Sequence, residues 1–172
     1  MGRSEFEDAY EDFEDLEHIR GAILNTAIAD LSLRTPIVVE DSASVAEAVD
    51  AMNEHHTGCV LVVRDGKLVG IFTERDVLKK VVFQSESPTE RVEEVMTPNP
   101  ETLEPDANIA FALNKMSVGG YRHIPVVDRD GKPIGVLSVR DIVDLLVELY
   151  PADVLNLPPT PAQGIATTVD GG

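Results

Sequence analysis

The chain has 172 residues, of which 43% are hydrophobic and 5% aromatic, and its formal net charge is −17. This length and apolar content are enough for one domain or for two small units that share a core. The negative charge disfavours nucleic acid and anionic membranes as partners, because both would be repelled.

The cysteine content and the N-terminus restrict the cellular location. Cys59 is the only cysteine, so an internal disulfide is excluded and a reducing compartment is favoured. The N-terminus is too acidic for a signal peptide, and no apolar run approaches the length of a membrane span. We therefore expect an acidic cytoplasmic protein.

The N-terminal segment, residues 1–27, carries an amphipathic pattern. Ser4 and Glu7 form a capping box, and aromatic residues recur after them at helical spacing. This pattern predicts an acidic helix over residues 5–19. Its apolar stripe needs a packing surface, which is either the parent fold, a second subunit or a partner protein.

The main feature of the sequence is an internal duplication. Residues 70–76 (GIFTERD) return as residues 135–141 (GVLSVRD), 65 positions further along. Each copy is a short apolar run, then a hydroxyl residue and an Arg-Asp pair at the start of a predicted helix. Polar residues at one fixed place in a repeated unit predict two copies of one site rather than a single catalytic centre.

The duplication extends on both sides of this motif, and each copy predicts a turn, an extended stretch, a helix, two strands joined by an Asp-Gly turn and a final helix. In the first copy the turn covers 28–31, the extended stretch 36–39, the strands 59–63 and 68–72, and the final helix 74–83, and the first helix follows Ser44. In the second copy the same elements cover 92–95, 100–103, 124–127 and 133–137, and 139–149, and the first helix follows Asn108. The predicted fold is α/β (α+β), with small mixed sheets in two β-α-β-β-α repeats.

The domain boundaries follow from the repeat. The first repeat covers residues 28–83 and the second 92–150, with a polar linker at 84–91 between them. Four prolines and small polar residues predict a flexible tail at 151–172.

Four short motifs make this sequence similar to a known family. They are TERD at 73–76, SVRD at 138–141, MTP at 96–98 and HIPVVD at 123–128. In this order they resemble the cystathionine-β-synthase (CBS) domain, and two such domains in tandem resemble a Bateman module. The resemblance covers about residues 28–150. It implies two repeats packed about a pseudo-twofold axis, with clefts between them that bind AMP, ADP, ATP or S-adenosylmethionine.

The resemblance also implies which residues line each cleft, since a cleft joins the aspartate of one repeat to strand residues of the other. Cleft A is expected to contain Ile37, Gly58, Arg122, His123, Ser138, Arg140 and Asp141. Cleft B is expected to contain Thr73, Arg75, Asp76, Glu101 and Tyr121.

The residue types at the repeated motif suit a nucleotide. A carboxylate such as Asp141 can accept hydrogen bonds from both ribose hydroxyls. Ser138 and the N–H groups of a helix start favour an anion, and Arg140 can contact phosphate. A hydroxyl residue followed three positions later by an acid is also a helix N-cap pattern, and capping is compatible with binding.

The two clefts are expected to differ in charge. Glu101 stands where the first repeat has Ile37, and Gly58 with Cys59 stand where the second repeat has Arg122 with His123. A carboxylate and fewer cations make cleft B poorer for a polyphosphate, so we predict that cleft A is the better site.

Other polar residues have simpler interpretations. We expect His55 and His56 to be ordinary residues at a helix end, and Cys59 to be a buried small apolar residue. Lys79 and Lys80 are expected to form a solvated face, with a bound phosphate as the alternative contact for one of them.

The leading functional hypothesis is a regulatory sensor that binds an adenine nucleotide and signals in trans to a protein client. A homodimer is expected from the family resemblance, and a magnesium ion carried in with a nucleotide is compatible with it. The alternative is a ligand-free scaffold that dimerises through the repeat helices. An enzyme is disfavoured because the sequence contains no nucleophile–base pair, metal-ligand cluster or Walker-type loop, and no redox cofactor is expected.

Overall fold

The computed structural model describes residues 21, 23–82 and 87–149. The helix predicted over 5–19 and the tail predicted at 151–172 lie outside the described residues. No helix in the described ranges is long and apolar enough to cross a membrane.

Both repeats contain the predicted turn, helices and hairpin strands in the predicted order, and the first also contains its predicted extended stretch as a strand. The first has a 3-10 turn at Ile28–Asp30, then β1 (Val38–Glu40), α1 (Val45–Glu54), β2 (Cys59–Arg64), β3 (Lys67–Thr73) and α2 (Glu74–Asp76), which continues as a π-helix at Val77–Val82. The second has α3 (Val92–Val95), β4 (Thr97–Pro98), α4 (Ile109–Gly119), β5 (His123–Val127), β6 (Pro133–Ser138) and α5 (Val139–Leu149).

Local sequence signals explain where these elements begin and turn. The Ser44 side chain accepts a hydrogen bond from the Glu47 amide, and the Asn108 side chain accepts one from the Phe111 amide, so both predicted N-caps are confirmed. Asp65 and Gly66 have φ values of 52° and 74°, as the two-residue turn between β2 and β3 requires.

Two features differ from the prediction. The extended stretch expected at 100–103 forms no strand, and only Leu103 pairs, in a parallel bridge to Val126. The final helix of the first repeat takes the π form after Asp76, whereas its counterpart α5 is α-helical throughout.

The two repeats exchange short segments, so that each repeat contributes to the sheet of the other. The strand order is β1-β2-β3-β4 in the larger sheet and β5-β6 in the smaller one. The segment before the second repeat, β4, pairs with β3 of the first repeat, and Arg34 from the start of the first repeat pairs with Val136 of β6. Each repeat therefore completes the edge of the other.

The hydrophobic core follows the same exchange. Ile28 of the first repeat is fully buried in the cluster formed by α4, β5 and β6, together with Leu137. Val92 and Val95 of the second repeat are buried against α1 and Phe72. A small third cluster of Cys59, Leu61 and Ile71 has Val136 packed against it. The repeats are thus tied together through their cores as well as through their sheets.

Candidate functional site

Two cavities lie where the exchanged segments meet the starts of α2 and α5. The first has a volume of about 440 Å³ and contains the Ser138–Asp141 motif, and the second has about 510 Å³ and contains the Thr73–Asp76 motif. These positions correspond to clefts A and B of the sequence analysis, and the names are kept.

All seven residues expected in cleft A line the first cavity, namely Ile37, Gly58, Arg122, His123, Ser138, Arg140 and Asp141. Residues that the sequence did not point to also line it, namely Arg34, Thr35, His55, His56, Thr57, Cys59, Val136 and Val139.

All five residues expected in cleft B line the second cavity, namely Thr73, Arg75, Asp76, Glu101 and Tyr121. Gly58, Arg122 and His123 border both cavities, so the cations that we had assigned to cleft A alone are shared. A Cβ atom on Gly58 would lie 3.4 Å from both the Glu74 carboxylate and the His123 ring, so a side chain there would narrow the boundary between the clefts.

In cleft A the capping arrangement uses one oxygen of Asp141. The Ser138 amide and hydroxyl both donate to Asp141 Oδ2 at 2.6 Å, and the Asp141 amide donates to Ser138 Oγ at 3.3 Å. Among the described residues Asp141 Oδ1 accepts no hydrogen bond, and its nearest charged partner is Arg34 Nε at 3.9 Å. One oxygen of this carboxylate is therefore used by the cap, and the other has unused acceptor capacity with respect to the described residues.

In cleft B both oxygens of Asp76 are engaged. The Thr73 amide and hydroxyl donate to Oδ2 at 3.1 and 2.6 Å. Lys80 Nζ lies 2.8 Å from Oδ1, and the Thr97 hydroxyl lies 3.4 Å from the same atom. Asp76 thus accepts three hydrogen bonds and forms an ion pair with Lys80, which leaves the carboxylate little capacity for a further donor.

The first amide of each final helix is also used within the fold. The Glu74 amide donates to the Gly58 carbonyl and the Val139 amide donates to the Arg122 carbonyl, both at 3.1 Å. These equivalent bonds fix each helix start against the beginning of a strand. They remove one of the N–H groups that the sequence analysis had left for an anion.

The charged groups are distributed unevenly. Cleft A has three arginines, Arg34, Arg122 and Arg140, with the carboxylate of Asp141. Cleft B has two arginines, Arg75 and the shared Arg122, with three carboxylates, those of Glu74, Asp76 and Glu101. Glu101 forms an ion pair with Lys115, so its charge is balanced by a residue of α4. Cleft A consequently offers more cations for a phosphate.

Burial controls the titration of two residues at equivalent positions in the repeats. Burial lowers the pKa of His123 below its ordinary value, against the opposing pull of Asp141 and Glu74. Burial raises the pKa of Cys59 to about 11. Cys59 is 3% exposed, which confirms that it is a small buried residue and makes it a poor nucleophile.

Three residues that matter for the two aspartates were missed or misjudged in the sequence. Arg34 lies two residues before the extended stretch, where nothing marked it. Thr97 lies within the quoted MTP motif without an assigned role. Lys80 was expected on a solvated face, and this is wrong, because its ammonium reaches Asp76 and donates to the Val95 and Met96 carbonyls at 2.6 and 3.2 Å.

Within the part of the chain that the structure describes, no group of three or more His, Cys, Asp or Glu residues is arranged to hold a metal ion. The polar groups of both clefts are instead hydroxyls, guanidinium groups, imidazoles and carboxylates, which suit an organic ligand with hydroxyl and phosphate groups.

Comparison with known proteins places the chain among its relatives. An uncharacterised 17.7 kDa protein of Acidianus ambivalens is 32% identical over 127 residues, which are 73% of this chain and 76% of that protein. A homoserine O-acetyltransferase of Methanohalobium evestigatum is 33% identical over 125 residues, which are 72% of this chain but only 25% of that protein.

Solved structures match over a similar range. The CBS domain pair of protein MJ0100, in complex with 5′-methylthioadenosine and S-adenosyl-L-methionine, is 29% identical with a TM-score of 0.66, covering 72% of this chain and 98% of that one. The CBS domain protein PAE2072 of Pyrobaculum aerophilum, complexed with AMP, is 25% identical with a TM-score of 0.65, covering 74% and 100%. The CBS-domain family model itself matches residues 28–82 and 92–148. The chain therefore belongs to the CBS-domain family and contains a tandem pair of these domains.

Proposed function

We propose that this chain is a regulatory module that binds an adenosine-containing ligand in cleft A. The observation that carries the proposal is the half-open carboxylate of Asp141. Its Oδ2 is held by Ser138, which fixes the side chain, while Oδ1 accepts no hydrogen bond from the described residues. A fixed carboxylate with one free oxygen is prepared to accept charge-assisted hydrogen bonds from ribose hydroxyls.

The rest of cleft A supports the same ligand class. Ile37 and Val136 offer apolar surface for a base, and Arg34, Arg122 and Arg140 supply cations for a phosphate. Two structural relatives, MJ0100 and PAE2072, were solved with adenosine-containing ligands. These chemical and family arguments together favour AMP, ADP, ATP or S-adenosylmethionine over other small molecules.

The regulatory role is part of the proposal. CBS-domain pairs generally serve as regulatory modules, although one relative is an acetyltransferase of which this chain matches a quarter. We propose that this chain acts in the cytoplasm without catalysis of its own and signals to a protein client. A ligand in cleft A contacts both repeats, so it can bias their arrangement only by binding one arrangement more tightly than the other.

The test compares Asp141→Ala with Asp76→Ala by isothermal titration with AMP. Each substitution removes the carboxylate of a capping box, and Asp76→Ala should cost more stability because it also removes the ion pair with Lys80. Asp141→Ala should also weaken AMP binding by about tenfold or more, because it removes a charge-assisted acceptor. Asp76→Ala should leave the affinity within about twofold. Equal affinity in both variants and the wild type would refute the proposal.

A ligand-free scaffold that forms homodimers is the second candidate. It is favoured by the outer face of α4, where Phe111 and Val118 are 52% and 81% exposed. Thermal unfolding with AMP, ATP and S-adenosylmethionine, each with and without Mg²⁺, separates the two functions. A ligand that binds the folded state must raise the melting temperature. No shift with any ligand at millimolar concentration favours the scaffold.

A further inference from the structure

We propose that Lys80, which lies beside cleft B and not in its lining, pairs with Asp76 and thereby restricts ligand binding to cleft A. This inference rests on the proposed function, because it explains which of two similar clefts takes the ligand. Asp76 accepts three hydrogen bonds and forms one ion pair, all with residues of the chain itself.

Lys80 is held firmly in this place. Its ammonium lies 2.8 Å from Asp76 Oδ1 and donates to the backbone carbonyls of Val95 and Met96 at 2.6 and 3.2 Å. Two of its three donors are used by these carbonyls, and the ion pair with Asp76 is its third contact. Since Val95 and Met96 belong to the second repeat, Lys80 ties the final helix of the first repeat to the start of the second.

The counterpart of Lys80 in the second repeat is Leu145, four residues after Asp141 as Lys80 is four residues after Asp76. Leu145 is partly buried against the core of the second repeat and has no group that can donate a hydrogen bond. Asp141 Oδ1 therefore lacks the charged partner that Lys80 gives to Asp76, because the second repeat has a leucine at this position.

A ribose entering cleft B would have to displace an existing donor from Asp76. Displacing Thr97 is the easier exchange, because its hydroxyl lies at 3.4 Å, but the carboxylate charge would still be neutralised by Lys80. A carboxylate whose charge is neutralised and whose two oxygens already have partners accepts additional hydrogen bonds weakly. Cleft B is thus disfavoured although its cavity is slightly larger than that of cleft A.

Exchange of the two counterpart residues tests this inference, with AMP as the probe and isothermal titration as the readout. The wild type should bind one AMP per chain. Lys80→Leu should bind two, and Lys80→Leu combined with Asp141→Ala should bind one, in cleft B. Leu145→Lys should weaken binding to cleft A by about tenfold or more, because the new ammonium competes for Asp141.

The outcomes separate this inference from the proposed function. A wild type that binds no AMP, or binds it unchanged after Asp141→Ala, overturns the proposed function. One AMP per wild-type chain together with one per Lys80→Leu chain overturns only the role of Lys80, as does a wild type that fills both clefts. If Lys80→Leu does not fold, Lys80→Met retains most of the length of the side chain, and the same number of bound AMP molecules is expected. Leu145→Lys with wild-type affinity also counts against the role of Lys80.

Discussion

Asp76 and Asp141 cap equivalent helix starts with the same hydrogen bonds, yet among the described residues Asp76 also contacts Lys80 and Thr97, whereas the further partner of Asp141 is Arg34 at 3.9 Å. The oxygen that caps the helix has equivalent partners in both repeats, because the strand-to-helix turn requires it. The other oxygen has a lysine and a threonine in one repeat and a distant arginine in the other. Folding thus fixes the partners of one oxygen in each carboxylate, and the two clefts differ in the partners of the other oxygen.

The exchanged segments show the same pattern, in which structural contacts are equivalent in the two repeats and cleft residues differ. Ile28 packs in the core of the second repeat and Val92 in the core of the first, and both are fully buried. These apolar contacts are equivalent. The polar residues beside them, Arg34 and Thr97, are not, although each lies next to the aspartate of the opposite repeat. Counterpart positions in the core keep their type, while those in the clefts diverge.

The largest effect expected is on stability, at counterpart core positions. Phe72 and Leu137 are both fully buried, one in each core. Phe72→Ala should lower the free energy of unfolding by about 4 kcal/mol and Leu137→Ala by about 3 kcal/mol, because each leaves a cavity. Urea denaturation measures both, with Val118→Ala on the 81% exposed Val118 as the control that should change little.

Both core variants should still unfold in one transition. The exchanged segments place residues of each repeat in the core of the other, so loss of one core should remove the other. Two separate transitions, with only one shifted in each variant, would show that the repeats unfold independently and would contradict the coupling.

The next effect is on the reactivity of Cys59. A pKa of about 11 instead of 9.0 makes the thiolate about a hundredfold rarer at pH 8. Alkylation by iodoacetamide should therefore be at least about a hundredfold slower in the folded protein than in urea. Rapid labelling of the native protein would mean that the strand carrying Cys59 opens readily and that this side of cleft A is not preformed.

A smaller effect separates the two N-caps. Ser44 takes part in a complete capping box with Glu47, whose carboxylate accepts from the Ser44 amide at 2.7 Å. Asn108 caps alone, because Phe111 stands in the position of Glu47. Both caps should cost about 1 kcal/mol on mutation to alanine, with Ser44→Ala a few tenths worse, because Glu47 also loses the hydrogen bond from the Ser44 hydroxyl.

Thermal or urea unfolding of both alanine variants makes this comparison. Phe111→Glu serves as the matched test, since it should restore a capping box in the second repeat and reduce the difference. Identical losses for Ser44→Ala and Asn108→Ala, with no gain from Phe111→Glu, would show that the returning carboxylate adds nothing.

The sequence predicted most of the fold because the signals were local and occurred twice. Ser44 and Asn108 cap helices, and Asp65 with Gly66 turns a hairpin, through contacts within a few residues. The stretch at 100–103 was overestimated, since its weak apolar pattern could not reveal that only Leu103 would pair.

The site was harder to predict because its asymmetry depends on contacts between distant segments. The cavity positions followed from the repeated motif, whereas the partners of Asp76 did not. Lys80 reaches carbonyls 15 and 16 residues away, and Thr97 lies 21 residues from Asp76. The sequence showed that Lys80 and Leu145 occupy equivalent positions. It did not show that the Lys80 ammonium contacts Asp76, which is what makes the two positions differ in effect.

The smallest effect expected concerns His123, which occupies the position that Cys59 has in the first repeat. Burial lowers the pKa of His123 below 6.5, so the folded state binds this proton less readily than the unfolded chain. The contribution of His123 to stability is therefore complete above about pH 6.5 and is lost as the pH falls from there to its folded pKa. A single proton limits this slope to about 1.4 kcal/mol per pH unit.

Unfolding free energies of the wild type and of His123→Gln, measured between pH 7.5 and 5.5, isolate the contribution of His123 protonation to stability. The wild type should lose more stability than the variant over this range, and His123→Asn should behave like His123→Gln, because both lack the titrating ring. Equal losses in all three proteins would contradict the assignment. A bound phosphate would favour the charged ring of His123 and so oppose the effect of burial on its pKa. Saturating AMP should therefore reduce the stability that the wild type loses at low pH. The pH dependence of stability at His123 would then report whether the adjoining cleft is occupied.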